Sequence, residues 1–375
     1  MFYTHLFWQL ALANVGIFMI MLFVAKVHIT YFNPKRNEIK KKITFFFHLL
    51  IINSVFAFWA YDTYNSWEEF IEVNLRGGEI FGYEGVYNWL AAACENNYFL
   101  WRAFIWIPAC LFMYYTGKRL DLLSRNFLVA MALFASFQAF TRGMLGHTMM
   151  LFGVVLFFCN KNNKFIKLIG LLLVCVSYFF HKSMYVNIIF AILALFPFKK
   201  KSIIISLIVF PFLTGIATYL IDGIASGVID INFGEGVGGV GDKSANYAAA
   251  EKMSINVYGV IGQIIRFLPE YLTLCYLTNR VVFKGYFVGI KNEKVFVYLF
   301  RLTYVIIYIA SLFYFVETSS WIYERFKYMG FFPLPFVLAK VWSLEPHSNR
   351  WIKCIILLQI FSLLFTYVFR IYNWV

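Results

Sequence analysis

The sequence predicts an all-α polytopic integral membrane protein with about twelve transmembrane helices, and three observations predict it. First, 61% of its 375 residues are hydrophobic and only 14% are charged, with mean hydropathy +0.70, whereas a soluble domain is roughly 45–50% apolar and roughly 25% charged. Second, the apolar residues fall into runs near the length a bilayer demands, about 20 residues of helix for about 30 Å of hydrocarbon. Third, lysine and arginine collect in alternate connections between those runs, the asymmetry that marks cytoplasmic loops.

The runs lie near 4–25, 43–61, 98–116, 126–141, 143–159, 165–180, 184–198, 202–221, 255–279, 295–316, 328–342 and 351–370. The first has no basic residue before it and no A-x-A-like cleavage site. Its charges, Lys26, Lys35 and Arg36 among them, follow the apolar run, so it reads as a retained helix inserted N-terminus outward. Twenty-two of the 33 basic residues sit in the connections 26–42, 117–125, 160–167, 198–202, 280–294 and 340–353, and the alternation holds without a break. Those six connections are assigned to the cytoplasm, and the others, with both termini, face outward. The net charge of +14 is therefore a matter of topology and not of nucleic-acid binding.

The whole of 1–375 reads as a single transmembrane domain with two longer outward loops. Loop 62–97 is acidic and aromatic, and its residues 84–93 suit a short helix lying at the interface. Loop 222–254 is rich in glycine. Its stretch from Gly234 to Ser244 resembles a phosphate loop only superficially, because Asp242 separates the last glycine from Lys243; a linker or lid is expected. The six cysteines are scattered, never in C-x-x-C spacing, which indicates neither a disulfide framework nor a zinc site.

Charge inside a bilayer costs about 2.5–3.5 kcal/mol per residue, so ionisable residues in the spans mark candidate sites. Arg142, His147, His181, Lys182, Arg266, Arg325 and Lys327 all map to the outer half or edge of their segments. His181, Lys182 and Ser183 form the outward hairpin between two helices. Arg142, Gly146 and Gly153 share one helix face, where small residues admit a neighbouring helix or a ligand. Gly259, Gly262, Gln263, Arg266 and Glu270 form another stripe, with an Arg266–Glu270 ion pair as the structural alternative. Several arginines around one outward cavity suit a di-anion, since guanidinium grips phosphate oxygens in pairs. Acidic and aromatic residues in loop 62–97 suit sugars. A lipid-linked sugar pyrophosphate combines both. No metal is needed: the outward loops lack paired carboxylates at DxD spacing, and His147 and His181 lie on different helices.

The ordered set Asp62-x-Tyr64, Glu84-Gly85-Val86-Tyr87, Thr141-Arg142-Gly143, Phe180-His181-Lys182-Ser183 and Glu324-Arg325-Phe326 resembles the EpsG-like bacterial exopolysaccharide polymerases, akin in role to the Wzy polymerases of O-antigen and capsule. Gly143 stands where the family pattern leads one to expect Gln. The resemblance implies a glycosyltransferase-C-like membrane fold in the bacterial inner membrane, with its active site facing the periplasm or exterior. It implies transfer of a growing glycan from undecaprenyl pyrophosphate to a hydroxyl of the next lipid-linked repeat unit. No cofactor is expected, and a chain-length regulator protein is an expected partner beside the lipid-linked oligosaccharide and membrane lipid. In that scheme Arg142, Arg266 and Arg325 bind and stabilise the departing pyrophosphate. Either Glu84 or His181 takes the acceptor proton, with Glu84 favoured because it lies in the acidic loop. Asp62, Tyr64 and Tyr87 hold sugar. An O-antigen-ligase-like transferase and a lipid-linked oligosaccharide flippase or transporter are the alternatives.

The topology is checked by single-cysteine labelling. Glu38→Cys should react only from the cytoplasm and Val240→Cys only from outside; reaction of both from outside would overturn the assignment.

Overall fold

Helix ends carry their own local reasons. Asn97 and Asn163 each turn a side-chain oxygen onto the amide three residues on, at 3.0 Å to Leu100 and 3.1 Å to Ile166, and so satisfy a donor that the first helical turn leaves open. Pro197 lies just past the turn that closes the helix ending at Leu193, as a residue that cannot continue it. The computed structural model describes residues 12–13, 15–25, 38–57, 85–94, 97–134, 141–160, 162–180, 183–225, 257–312 and 326–372.

In chain order the helices are α1 (Val15–Ala25), α2 (Glu38–Ala57), α3 (Gly85–Ala93), α4 (Tyr98–Arg119), α5 (Arg125–Phe134), α6 (Thr141–Cys159), α7 (Lys164–Ser177), α8 (Ser183–Leu193), α9 (Lys200–Ala225), α10 (Val257–Thr278), α11 (Glu293–Leu312), α12 (Leu334–Leu344) and α13 (Ser348–Tyr372). A 3₁₀ turn, Tyr178–Phe180, extends α7, and a π-turn, Asn279–Phe283, extends α10. There is no strand among the described residues. Each of the twelve expected segments overlaps a helix among the described residues. The one expected at 328–342 is broken: helix 326–330 stops, residues 331–333 turn, and Pro333 precedes α12. The expected short helix at 84–93 is α3. Tyr98–Arg119, Lys200–Tyr219 and Glu293–Leu312 are long and apolar enough to cross a membrane. Large apolar side chains such as Phe47, Phe165, Ile208 and Phe212 stand exposed around the bundle, the surface that hydrocarbon would cover.

Burial by itself gains little between helices already in lipid, so close packing and buried hydrogen bonds must hold them. At the centre, α5 and α12 bury nearly every side chain and pack ring on ring, with Phe127 and Phe336 4.8 Å apart. Tyr298 of α11 donates to the Ala191 carbonyl of α8 at 2.8 Å, and Tyr308 donates to the Ser206 carbonyl of α9 at 2.6 Å. The closest approach is between α6 and α7. A Cβ on Gly153 would lie 2.5 Å from the Gly170 carbonyl, and one on Gly170 2.6 Å from that of Gly153. Gly146 admits Met184 of α8 and the Ser177 carbonyl in the same way, at 3.1 Å each. The small residues of the α6 face therefore receive helices.

The ends of the helices that carry the basic connections meet at one end of the bundle. Lys291 bridges Asp121 at 2.7 Å, and the Asn292 side chain donates to the Arg119 carbonyl at 3.4 Å. Arg280 pairs with Glu345 at 2.5 Å, and Tyr276 also donates to Glu345.

Gly153→Val should separate α6 from α7 and destabilise the protein by about 1–3 kcal/mol, as overpacking does. Gly215→Ala on α9, where nothing lies within 4 Å of an added Cβ, should leave the thermal midpoint unchanged; the two are compared by thermal unfolding in detergent.

Candidate functional site

Four elements approach one another in the interior of the bundle: α6, α8, α10 and the stretch 326–332. Together they bring five polar or aromatic groups inside. From α6 comes His147, from α8 Asn187, from α10 Glu270, and from the last stretch Lys327 and Phe332.

His147 is buried, and the Asn187 side-chain amide donates to its Nδ1 at 2.9 Å, which leaves the ring proton on Nε2. Its ring stacks on Phe332, with centroids 4.7 Å apart and planes 25° from parallel. Phe332 reaches it because the chain turns at 331–333. Phe326 packs edge-on against Phe190 of α8 at 5.7 Å. Lys327 is fully buried with its ammonium 5.6 Å from the Phe331 ring and 3.8 Å from a Glu270 carboxylate oxygen. Two opposite charges so deeply buried are tolerated because each lowers the cost of the other. Thr273, one turn after Pro269, caps the Pro269 carbonyl at 2.7 Å. The Asn187 side-chain oxygen is buried without a hydrogen-bond partner, an acceptor standing open beside the imidazole.

The predicted site residues stand in a definite chain relation to these groups. Arg142 lies five residues before His147, His181 six before Asn187, Arg266 one turn before Glu270, and Arg325 two before Lys327. Of Arg142, Arg266 and Tyr87 the backbone is described, in α6, α10 and α3; their side chains lie outside the described residues, as do Asp62, Tyr64, Glu84, His181 and Arg325. Helix α3 packs against the turn Tyr178–Phe180. Glu84 is the residue before α3, and His181 the residue after that turn. The described groups thus form a buried polar floor, reached a few residues along the chain from positions expected to do chemistry.

Three buried polar residues were not expected in these roles. Asn187 is a lone amide in an apolar helix, a signal easily passed over. Glu270 was expected beside Arg266, whose side chain lies outside the described residues, and its contact with Lys327 at 3.8 Å was not foreseen. Arg102 of α4 is buried with its guanidinium carbon 5.1 Å from the Tyr98 ring centroid. It sits one turn into an apolar span, so the cost argument applied to Arg266 would also have found it. No group of three or more metal-ligating side chains occurs among the described residues.

Compared with known proteins, residues 42–374 match the EpsG family. The chain belongs to the EpsG family. EpsG proteins are Wzy-type exopolysaccharide polymerases, and the match spans all the elements that build the floor. No curated protein and no solved structure matches the chain.

Lys327→Met should leave Glu270 without its buried lysine and cost the EpsG protein about 3–5 kcal/mol, while Lys327→Met combined with Glu270→Gln should recover most of it. Thermal unfolding of the two single variants and the double variant gives the comparison.

Proposed function

We propose that this EpsG protein polymerises lipid-linked repeat units at the outer face of the bacterial inner membrane. The chain would cross about twelve times with both termini outward, and the growing glycan would leave undecaprenyl pyrophosphate for a hydroxyl of the incoming unit. The observation that carries this reading is the convergence of α6, α8, α10 and 326–332 on one polar floor, with a predicted site residue a few positions earlier in the chain in each case.

In the proposed mechanism the anomeric carbon of the growing glycan is attacked by the acceptor hydroxyl. The bond to the pyrophosphate oxygen breaks, and the acceptor proton passes to Glu84 or His181. Arg142, Arg266 and Arg325 neutralise the charge that develops on the departing pyrophosphate. Asp62, Tyr64 and Tyr87 position sugar in the 62–97 loop. The driving energy is held in the sugar–pyrophosphate bond, so no nucleotide is consumed. Packing of α3 on the turn Tyr178–Phe180 supports bringing the Glu84 and His181 segments to one place. A ligase that uses the same donor would share this arrangement and differ in acceptor. A transporter is less favoured, because transporter sites usually lie near the midplane, whereas Arg142, His181, Lys182 and Arg325 map to the outer edge of their segments in the sequence.

Arg142→Lys keeps the charge and loses the two-pronged grip. It should reduce polymer by at least about tenfold and accumulate single lipid-linked repeats, seen by gel analysis of extracted lipids. His181→Ala should do the same with the protein still inserted, and Lys182→Ala should be mild; normal-length polymer from Arg142→Lys would sink the proposed role.

A further inference from the structure

At the basic end of the bundle, Phe158, Leu195, Glu293, Lys294, Val297, Tyr298 and Arg301 enclose a cavity of about 290 Å³. It lies between the last turn of α6, the segment after α8 and the first two turns of α11. Its position sets it apart from the polar floor, and nothing in the transferase reading uses it.

The polar groups of this cavity are unequally occupied. The Tyr298 hydroxyl is committed to the Ala191 carbonyl at 2.8 Å, and the Glu293 carboxylate accepts from the Gly289 amide at 2.8 Å. Lys294 stands exposed. Arg301 has its Nε buried with no hydrogen-bond partner, although it lies eight residues, hence about 12 Å, into α11. That helix is apolar enough to span a membrane. An arginine at such a depth costs several kcal/mol unless it meets an anion or a polar partner. Two cations and one carboxylate leave one net positive charge, the complement of a single phosphodiester. The remaining lining, Phe158, Leu195 and Val297, is apolar and suits the start of an acyl chain better than a soluble ion.

We propose that this cavity binds the phosphodiester of an anionic membrane lipid, with Arg301 and Lys294 holding the phosphate oxygens and Phe158, Leu195 and Val297 lining the path of the acyl chain. Guanidinium is suited to the deep position because it keeps its charge when partly desolvated and offers paired donors to two oxygens. Glu293, held by Gly289, prevents a second anion from entering. The site would fasten the α6, α8 and α11 ends to the leaflet in which the basic connections lie.

The test is native mass spectrometry of the purified full chain in detergent, supplied at equal concentration with phosphatidylglycerol, phosphatidylcholine or inorganic phosphate. Wild type should retain one phosphatidylglycerol per chain with at least about tenfold preference over phosphatidylcholine, and inorganic phosphate should neither displace it nor raise the thermal midpoint. Arg301→Gln should abolish the preference and Arg301→Lys restore part of it. Lys294→Gln, at an exposed position that tolerates change, should lower it severalfold and decides the matter should Arg301→Gln fail to fold. Equal retention of the two lipids by wild type, undiminished preference in Lys294→Gln, or displacement by inorganic phosphate would overturn the proposal.

Discussion

A polar group inside a hydrocarbon slab has to find its partner within the protein, because no water is there to supply one. This constraint organises the bundle more than any apolar contact does. Tyr298 on the Ala191 carbonyl, Tyr308 on that of Ser206, and Tyr271 on the Ser311 hydroxyl at 2.5 Å each join two helices through a phenol that would otherwise be stranded. His147 with Asn187 and Lys327 with Glu270 follow the same rule at the end where chemistry is proposed. Apolar contacts alone would let helices slide past one another; these directional pairs set their register.

Exposed and buried charges solve the problem differently. Where the basic connections meet, Lys291 pairs with Asp121 in the open, both largely exposed, while Arg280 and Glu345 pair nearly buried. There Asp121 and Asn292 adopt positive φ, 55° and 63°, a conformation that Asp and Asn tolerate better than most residues. The hydrogen bond from Lys291 to Asp121 holds that ammonium's pKa above its ordinary value. Inside the bundle Lys327 and Glu270 are fully submerged, with the Lys327 ammonium close to the Phe331 ring, a setting in which electrostatic interactions are stronger and less screened.

How much of this was legible in the sequence follows from what each residue needs. Helix positions were legible because a membrane span needs length and apolarity, both local properties, and the alternation of lysine-rich connections ordered them. The break at 331–333 was legible only in part: Pro333 marks it, but the contact that makes it useful, Phe332 on His147, joins residues 185 positions apart. The Lys327–Glu270 contact was not legible for the same reason: Lys327 arrives from another segment by tertiary packing alone. The family relation was legible through short motifs whose order, more than any single residue, carried the information.

The meeting of Gly153 and Gly170 sets a scale for the far end. Helices α6 and α7 touch backbone to backbone midway along their length, so the pair forms a close-packed two-legged frame. Position 142 stands on one leg, and the turn before position 181 caps the other. The gap between them is set by glycines, Gly153 against Gly170 about 16 Å from Arg142 and Gly146 against the Ser177 carbonyl one turn from it. The volume of the residues at 146, 153 and 170 acts as a gauge for that gap.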